Sequence, residues 1–432
     1  MPGSVKRFAI AVALTLFAVP PAAAQMQQPP DPGPVHEAER KLHGFGELRP
    51  PRDSDQASPR AANFEEAKVG DLVPPPLFAS PADSTRDGWA RRRADLVRLV
   101  EDNWTGRIPE AAANLQIVWT KTAGTPERGH DVEQWVGQIF TPDGRGGPMI
   151  DATLTLPKGK RNVPVVIDYT YIWPAGFRFP GPTPPDPKAM ALARGWGHVA
   201  YRVQMLQADN AAQMEQGVIG LARWPREKHD WGALRAWGWG ASKLREQLAA
   251  DQRIDGNRIS LAGHSRFGKA VLVASAFDHA FADALVSSSG AGGAKLMRRD
   301  FGEHWTNMAG AGAYHWYTPN VMEYAGNKPL ADLPVDAHML IALRAPRPLF
   351  ISSGLADKGD AWVDPRGMWI ATSMAEPAWG LYGLPVPPSA EMPEVLKGYR
   401  NYPLAFYQHD EGHVLWPAFE PFMDHAERFK GE

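Results

Sequence analysis

One stretch of the sequence decides the fold: Arg258-Ile-Ser-Leu-Ala-Gly-His-Ser-Arg-Phe-Gly-Lys-Ala270. Its apolar first part, 259–262, predicts a short buried strand. A sharp turn follows at 263–266, and the apolar run 267–276 predicts a helix. A strand, a tight turn with a serine at its tip and a helix together form a nucleophile elbow. The spacing is Gly-x-Ser-x-x-Gly rather than Gly-x-Ser-x-Gly, so an ordinary serine at a strand-to-helix turn stays an alternative.

The predicted elbow places Ser265 where its hydroxyl could act as a nucleophile. The turn lifts its hydroxyl out of the sheet, and the helix behind it offers free backbone N–H groups and a positive dipole end. Both features suit a reaction that builds negative charge on an acyl oxygen. Ser265 is therefore the candidate nucleophile.

Composition excludes several classes of function. The chain has 432 residues and a formal net charge of −2, which argues against nucleic acid or an acidic membrane surface as a partner. It contains no cysteine, which excludes disulfides, thiolate metal ligands and a cysteine nucleophile. The 16 tryptophans suit both a carbohydrate-active protein and a large core, so they do not decide between them.

The N-terminus predicts export. Lys6 and Arg7 precede an apolar run, 8–19, that is too short to span a bilayer, and Ala22-Ala-Ala24 offers a cleavage site. We predict that residues 1–24 are a signal peptide and that the mature protein is periplasmic or extracellular. An uncleaved anchor is the alternative, and no later run is long enough to cross a membrane.

The rest of the chain predicts one catalytic domain. Residues 25–82 are rich in proline and predict an extended, loosely packed lead-in. Residues 83–432 begin with a helix, 86–103, that Ser84 can cap. Three antiparallel strands are predicted at 115–120, 134–141 and 150–156.

From residue 163 onward strands and helices alternate. Further strands are predicted at 163–167, 198–202, 284–287, 347–353 and 404–407. Further helices are predicted at 190–194, 232–250 and 416–429, and one more begins after Asp364. This order predicts an α/β-hydrolase fold: a mostly parallel central sheet with an antiparallel N-terminal part and helices on both faces. The loops that follow the parallel strands should converge at one edge of the sheet.

A serine nucleophile needs a base, and the base needs an orienting acid. In α/β-hydrolases the order along the chain is serine, acid, histidine. His413 lies between the last predicted strand and the last helix, where that order puts the base. A surface-loop histidine is the alternative interpretation, and His409 is the competing residue.

Three aspartates compete for the acid position after the strand at 347–353: Asp357, Asp360 and Asp364. Asp364 precedes Pro365, which is typical of a helix cap. Spacing alone does not separate Asp357 from Asp360.

From about residue 160 to 430 the sequence resembles the glucuronoyl esterases of carbohydrate esterase family 15, particularly bacterial members. The motifs that carry the resemblance occur in family order: Gly263-His-Ser-Arg-Phe-Gly-Lys269, Ser289-Gly-Ala-Gly-Gly293, Arg298-Arg-Asp-Phe-Gly-Glu303, Leu333-Pro-Val-Asp-Ala-His-Met-Leu-Ile-Ala-Leu-Arg-Ala-Pro-Arg-Pro-Leu349, Asp360-Ala-Trp-Val-Asp-Pro365 and Glu411-Gly-His413. The resemblance implies cleavage of the ester between a glucuronic acid of xylan, often 4-O-methylated, and an alcohol of lignin.

The resemblance also implies roles for single residues. It makes Ser265 the nucleophile and His413 the base. Arg266 would offer its backbone N–H and guanidinium to the oxyanion. Lys269 would hydrogen-bond sugar hydroxyls. Glu303 and Trp362 would contact the uronate ring.

The two cations are informative without the resemblance. Arg266 and Lys269 lie at a helix N-terminus, where each cation opposes the helix dipole at a cost of about 0.3–1 kcal/mol. Two cations beside the serine suit a substrate that becomes a carboxylate. The alternative is two solvated basic residues at a helix start.

One position departs from the family pattern. Many members carry a glutamate, the triad acid, directly before the Ser-Gly that opens the glycine-rich loop, and Ser288 stands there in this chain. The acid must therefore come from the later loop. We predict Asp360, which matches the Asp-x-Trp spacing of the family, with Asp357 as the alternative because Gly354-x-x-Asp357 is a common hydrolase arrangement.

The sequence thus predicts a secreted serine esterase that acts on uronate esters of glucuronoxylan and lignin. The alternatives are an acetylxylan-type or other carbohydrate esterase on the same fold, and a catalytically impaired carbohydrate-binding homologue. We expect a monomer with no cofactor and no metal. We also expect no nucleic-acid partner, and no membrane contact after signal cleavage.

Overall fold

A computed structural model describes residues 29–71, 73–172, 184–388 and 391–431. The predicted signal peptide, residues 1–24, lies outside these residues. Within the described ranges, no helix combines the length and the apolar character needed to cross a membrane.

The core of the protein is a sheet of nine strands in the order β1-β2-β3-β5-β4-β6-β7-β8-β9. The strands are β1 (Gln116–Ala123), β2 (His130–Phe140), β3 (Gly146–Pro157), β4 (Val163–Tyr169), β5 (Gly197–Tyr201), β6 (Ile254–His264), β7 (Ala284–Ser287), β8 (Leu349–Ser353) and β9 (Leu404–Gln408). The first three strands pair antiparallel, and β3 also pairs antiparallel with β5. All later neighbours pair parallel.

Eleven α-helices lie in the described residues. They are α1 (Gly33–Leu42), α2 (Arg86–Val100), α3 (Pro187–Ala193), α4 (Val218–Ala222), α5 (Ala233–Ala249), α6 (Arg266–Phe277), α7 (Trp305–Ala309), α8 (Ala337–Ala342), α9 (Pro365–Ala375), α10 (Pro377–Gly380) and α11 (Trp416–Arg428). The cap of α2 is Thr85 rather than the predicted Ser84, because the Thr85 side chain accepts the N–H of Gly88. Asp364 caps α9 as predicted, by accepting the N–H of Gly367.

Helices cover both faces of the parallel strands, because successive side chains of a strand point to opposite faces. Ile167, Leu261 and Val286 belong to the main core, which includes apolar residues of α5, α6 and α8. Val166 and Phe350 belong to a second core with residues of α3 and α11. The predicted fold class is confirmed: the sheet is mostly parallel, its N-terminal part is antiparallel, and helices lie on both faces.

The prediction of an extended, loosely packed lead-in is wrong for residues 33–42, which form helix α1. Phe45 and Leu77 are buried in the main core. Helix α1 is held by Glu39, whose carboxylate forms a bidentate pair with Arg226 at 2.7 and 3.0 Å. Both side chains are buried, so the pair lies inside the protein.

This buried pair should be a major source of stability for the N-terminal segment. We expect Glu39→Gln to lower the free energy of unfolding by about 3–5 kcal/mol, because it leaves a buried guanidinium without its counter-charge. Urea unfolding followed by tryptophan fluorescence measures the loss. The matched control is Glu37→Gln on the same helix, whose more solvent-accessible pairs with Arg40 and Lys41 should contribute much less. Equal effects of the two variants would contradict the prediction.

Candidate active site

The turn between β6 and α6 has the geometry of a nucleophile elbow. Ser265 stands between the two elements with φ 58° and ψ −126°, a strained conformation for a residue with a Cβ. Its N–H donates to Ser287 O at 2.9 Å, which ties the turn to the neighbouring strand β7.

Two glycines explain the spacing of the motif. A Cβ at Gly263 would lie 2.4 Å from the carbonyl oxygen of Phe267, so this glycine lets α6 turn back tightly over β6. A Cβ at Gly268 would lie 2.7 Å from the carbonyl oxygen of Ser287, so this glycine lets α6 pack closely on β7. The Gly-x-Ser-x-x-Gly pattern is thus what the backbone of this turn requires.

His413 and Asp360 meet beside the elbow. His413 lies in the loop between β9 and α11, and its Nδ1 is 2.6 Å from Asp360 Oδ1. The other carboxylate oxygen, Oδ2, accepts the N–H of Gly354 at 2.6 Å and the hydroxyl of Ser288 at 2.9 Å. The Asp360 side chain is fully buried, so three hydrogen bonds fix a carboxylate that solvent does not reach.

The other candidates for acid and base lie elsewhere. Asp357 is exposed on the turn 356–358, and the carboxylate that contacts His413 is that of Asp360. His409 is fully buried at the end of β9, and burial lowers the pKa of its ring. Ser288, at the position of the family glutamate, donates its hydroxyl to Asp360.

A second histidine, His264, packs on His413, and the sequence analysis did not identify it. Its ring centroid lies 4.3 Å from that of His413, and its Nδ1 is 3.1 Å from the Ser287 hydroxyl oxygen. Burial, with a smaller contribution from His413, lowers the pKa of His264 to about 3. A neutral ring therefore supports His413, and because His264 directly precedes Ser265 it keeps His413 next to the elbow.

Arg266 is anchored by an acid that the sequence analysis missed. Its Nη1 lies 2.7 Å from Asp209 Oδ2, and its guanidinium lies over the Trp316 ring at 5.3 Å. Asp209 Oδ1 accepts Nε1–H of Trp316 at 2.6 Å and lies 3.1 Å from Nε2 of His315. Asp209 follows β5 in the chain, so its position after a parallel strand was the available signal.

Lys269 is deeply buried and paired. Its Nζ lies 2.8 Å from Glu303 Oε2 and donates to Ala291 O at 2.6 Å. Burial lowers the pKa of Lys269, although the charge of Glu303 opposes the shift. The same Glu303 oxygen accepts the N–H of Ala291, so the pair is built into the glycine-rich loop.

Trp362 lies on the same wall as Glu303, because the Glu303 N–H donates to Trp362 O at 2.7 Å. The Trp362 ring is half-buried and contacts Phe64, which belongs to the N-terminal segment. The structure thus brings Lys269, Glu303 and Trp362 to neighbouring positions, and it leaves Asp357 at the surface.

Comparisons with known proteins show which family the chain is similar to. A family model described as "Glucuronyl esterase, fungi" matches residues 145–383, more than half of the chain. A glucuronoyl esterase of carbohydrate esterase family 15 from Teredinibacter turnerae is 37% identical, with a TM-score of 0.85 over 92% of this chain and 99% of that one.

Two further relatives are similar in sequence. A carbohydrate esterase from an unknown prokaryotic organism is 27% identical over 85% of this chain and 93% of its own length. A 4-O-methyl-glucuronoyl methylesterase from Hypocrea jecorina is 28% identical over 74% of this chain and 63% of its own length. The chain therefore belongs to the glucuronoyl esterases of carbohydrate esterase family 15, which are carboxylic ester hydrolases with an α/β-hydrolase fold.

Proposed function

We propose that this esterase is an exported serine hydrolase that cleaves the ester between (4-O-methyl-)glucuronic acid of glucuronoxylan and an alcohol of lignin. The observation that carries the proposal is the short contact between His413 and the buried Asp360 beside the strained Ser265. A base held by a buried acid next to the serine of a strand-to-helix turn is the arrangement that serine acyl transfer requires.

The reaction follows from these positions. His413 Nε2 takes the proton of Ser265 as the hydroxyl oxygen attacks the ester carbonyl carbon, while its Nδ1–H donates to Asp360. The tetrahedral intermediate collapses, the C–O bond to the alcohol breaks, and His413 protonates the departing alcohol. Water activated by His413 then attacks the acyl-enzyme, which releases the uronic acid and restores the Ser265 hydroxyl.

Arg266 is the proposed oxyanion residue. It is the first residue of α6, so its backbone N–H has no partner within the helix and faces the elbow. Its guanidinium adds further N–H donors on the same side. Donors that are fixed before the reaction stabilise negative charge at the acyl oxygen without reorganisation.

The sugar ring would bind against Lys269, Glu303 and Trp362. A charged pair offers both a donor and an acceptor to adjacent hydroxyl groups, and a half-buried indole offers a flat surface to a sugar ring. The name of the Hypocrea jecorina relative, a 4-O-methyl-glucuronoyl methylesterase, supports a uronate ester as the substrate.

The proposal includes export and a single catalytic domain. We infer a signal peptide at 1–24 and a periplasmic or extracellular mature protein, from the basic, apolar and small-residue pattern of that segment. Residues 83–432 form the catalytic domain, and residues 25–82 would be an N-terminal part of it rather than a separate unit. Phe45 and Leu77, which are buried in the main core, support that assignment.

The direct test compares two esters. We expect benzyl D-glucuronate to be hydrolysed with a kcat/KM on the order of 10²-fold or more above that of p-nitrophenyl acetate, because a site built to hydrogen-bond a ring discriminates strongly against a substrate without one. Alcohol release from each ester is measured under the same conditions. Preference for the acetyl ester would favour an acetylxylan-type esterase, and no turnover of either would favour an impaired binding protein.

A further inference from the structure

Both cations beside Ser265 carry a carboxylate partner. Arg266 Nη1 lies 2.7 Å from Asp209 Oδ2, and Lys269 Nζ lies 2.8 Å from Glu303 Oε2. The two carboxylates are nearly inaccessible to solvent, at 6% and 10% exposure. Among the described residues, the two cations next to the nucleophile, Arg266 and Lys269, are therefore each paired with a carboxylate.

This pairing matters because ester hydrolysis changes the charge of the ligand. A neutral uronate ester and water give a neutral alcohol, a uronate anion and one proton. A bare cation beside the serine would attract the anion more than the ester, and would hold the product after each turnover. A cation that is paired with a carboxylate still has N–H groups that can donate hydrogen bonds to a ligand in contact with it. Its long-range Coulomb attraction for the uronate anion is largely cancelled by the carboxylate.

The surroundings of Asp209 favour its ionised form and hold its carboxylate in place. Among the described residues it has three side-chain partners: Arg266 on one oxygen, and His315 and Trp316 on the other. Burial alone would raise the pKa of Asp209, but the hydrogen bond from His315 and the charge of Arg266 lower it below its ordinary value. His315 is itself buried, which lowers its pKa and keeps its ring neutral. The cluster therefore supplies one negative charge, opposite the one positive charge of Arg266.

The Arg266 and Asp209 side chains differ in their exposure to solvent. The Arg266 side chain is 41% exposed, so its outer face is open to a ligand, whereas Asp209 is covered. The guanidinium pairs with Asp209 through Nη1, hydrogen-bonds the Tyr171 side chain and lies over the Trp316 ring. The exposed side of Arg266 can thus face an acyl oxygen, while the buried Asp209 carboxylate balances its charge.

We propose that Asp209 is a positioning residue that orients Arg266 and cancels its charge, so that the uronate product leaves the site. The inference rests on the proposed function. It assigns to Asp209 a role in product release and in the alignment of the oxyanion donor, Arg266.

The test is product inhibition by D-glucuronate, with D-glucose as a neutral ring of the same size. In Asp209→Asn the inhibition constant for glucuronate should fall by roughly tenfold, because Arg266 then faces the anion with its full charge in a half-buried site. The inhibition constant for glucose should stay within about twofold of that of the native enzyme, since glucose carries no charge. The matched control is Asp251→Asn, which removes the carboxylate of another arginine pair, with Arg253, outside the site.

A purely structural role for Asp209 gives a different result. If Asp209→Asn weakens glucuronate and glucose equally, or leaves both unchanged, the inference is wrong. If Asp209→Asn does not fold, as its thermal melting would reveal, Arg266→Gln provides the second measurement. It should raise the inhibition constant for glucuronate and not for glucose, because it exposes the Asp209 carboxylate, and an unchanged value for glucuronate would overturn the inference.

The proposed function is tested separately in the same preparation. If the native enzyme does not hydrolyse a glucuronate ester, the proposed function fails. If the native enzyme does so and Asp209→Asn has an unaltered ratio of the two inhibition constants, only the inference on product release fails.

Discussion

Replacing Ser265 with alanine should lower kcat on a glucuronate ester by on the order of 10⁴-fold or more, with little change in folding. The variant has no hydroxyl to form the acyl-enzyme, and His413 and Asp360 then have no nucleophile to activate. Alanine keeps the Cβ of serine, so the strain of the positive φ at this turn is the same in both proteins. The loss should therefore appear in turnover and not in the melting temperature.

The measurement is steady-state release of benzyl alcohol, together with thermal melting of each protein. Ser260→Ala is the matched control, because Ser260 is a buried serine on strand β6, which leads into the elbow. It should keep most of the activity. Unchanged turnover in Ser265→Ala would remove Ser265 from the mechanism, and with it the roles assigned to His413 and Asp360.

The parallel half of the fold was predictable because its local and long-range signals agree. Strands such as β4 are buried along their whole length, which gives continuous apolar runs. Helices α5 and α11 start and end within one residue of the predicted bounds, because an apolar face runs along the length of each helix.

Helix α1 was missed for a physical reason. Its sequence, Gly33–Leu42, is short and follows several prolines, which favours an extended segment. The buried residue of this helix is Glu39, whose partner Arg226 lies far away in the sequence. A contact of this kind leaves no periodic signal, so sequence patterns do not reveal it. Asp209 also meets Arg266 through a tertiary contact, and its position after β5 was the signal available in the sequence.

The spacing of residues in the sequence could not decide which of two aspartates is the triad acid. Asp357 and Asp360 lie on one loop after β8, and both match known arrangements. The tight turn at 356–358 separates them, and Gly359 continues it with a φ of 109°, a conformation that favours glycine. The turn leaves Asp357 in solvent and directs Asp360 inward, where Gly354 and Ser288 bind it.

Asp360→Asn should lower kcat by about 10³–10⁴-fold, and the structure gives the reason. The N–H of Gly354 and the hydroxyl of Ser288 both donate to Oδ2 of the carboxylate. In the asparagine variant the amide oxygen must take that place, so the amide NH₂ group faces Nδ1 of His413. Nδ1 then becomes an acceptor, the ring proton moves to Nε2, and His413 can no longer take the proton of Ser265.

The measurement is kcat and KM for benzyl D-glucuronate, with Asp357→Asn as the matched control on the same loop. Asp357 is exposed, so its variant should stay within about twofold of the native kcat, because surface substitutions away from such contacts have small effects. KM should change little in Asp360→Asn, since Asp360 is covered by protein and contacts His413 rather than the ligand. Full activity in Asp360→Asn, together with a loss on the order of 10³-fold in Asp357→Asn, would mean that the loop rearranges in solution and that Asp357 is the acid.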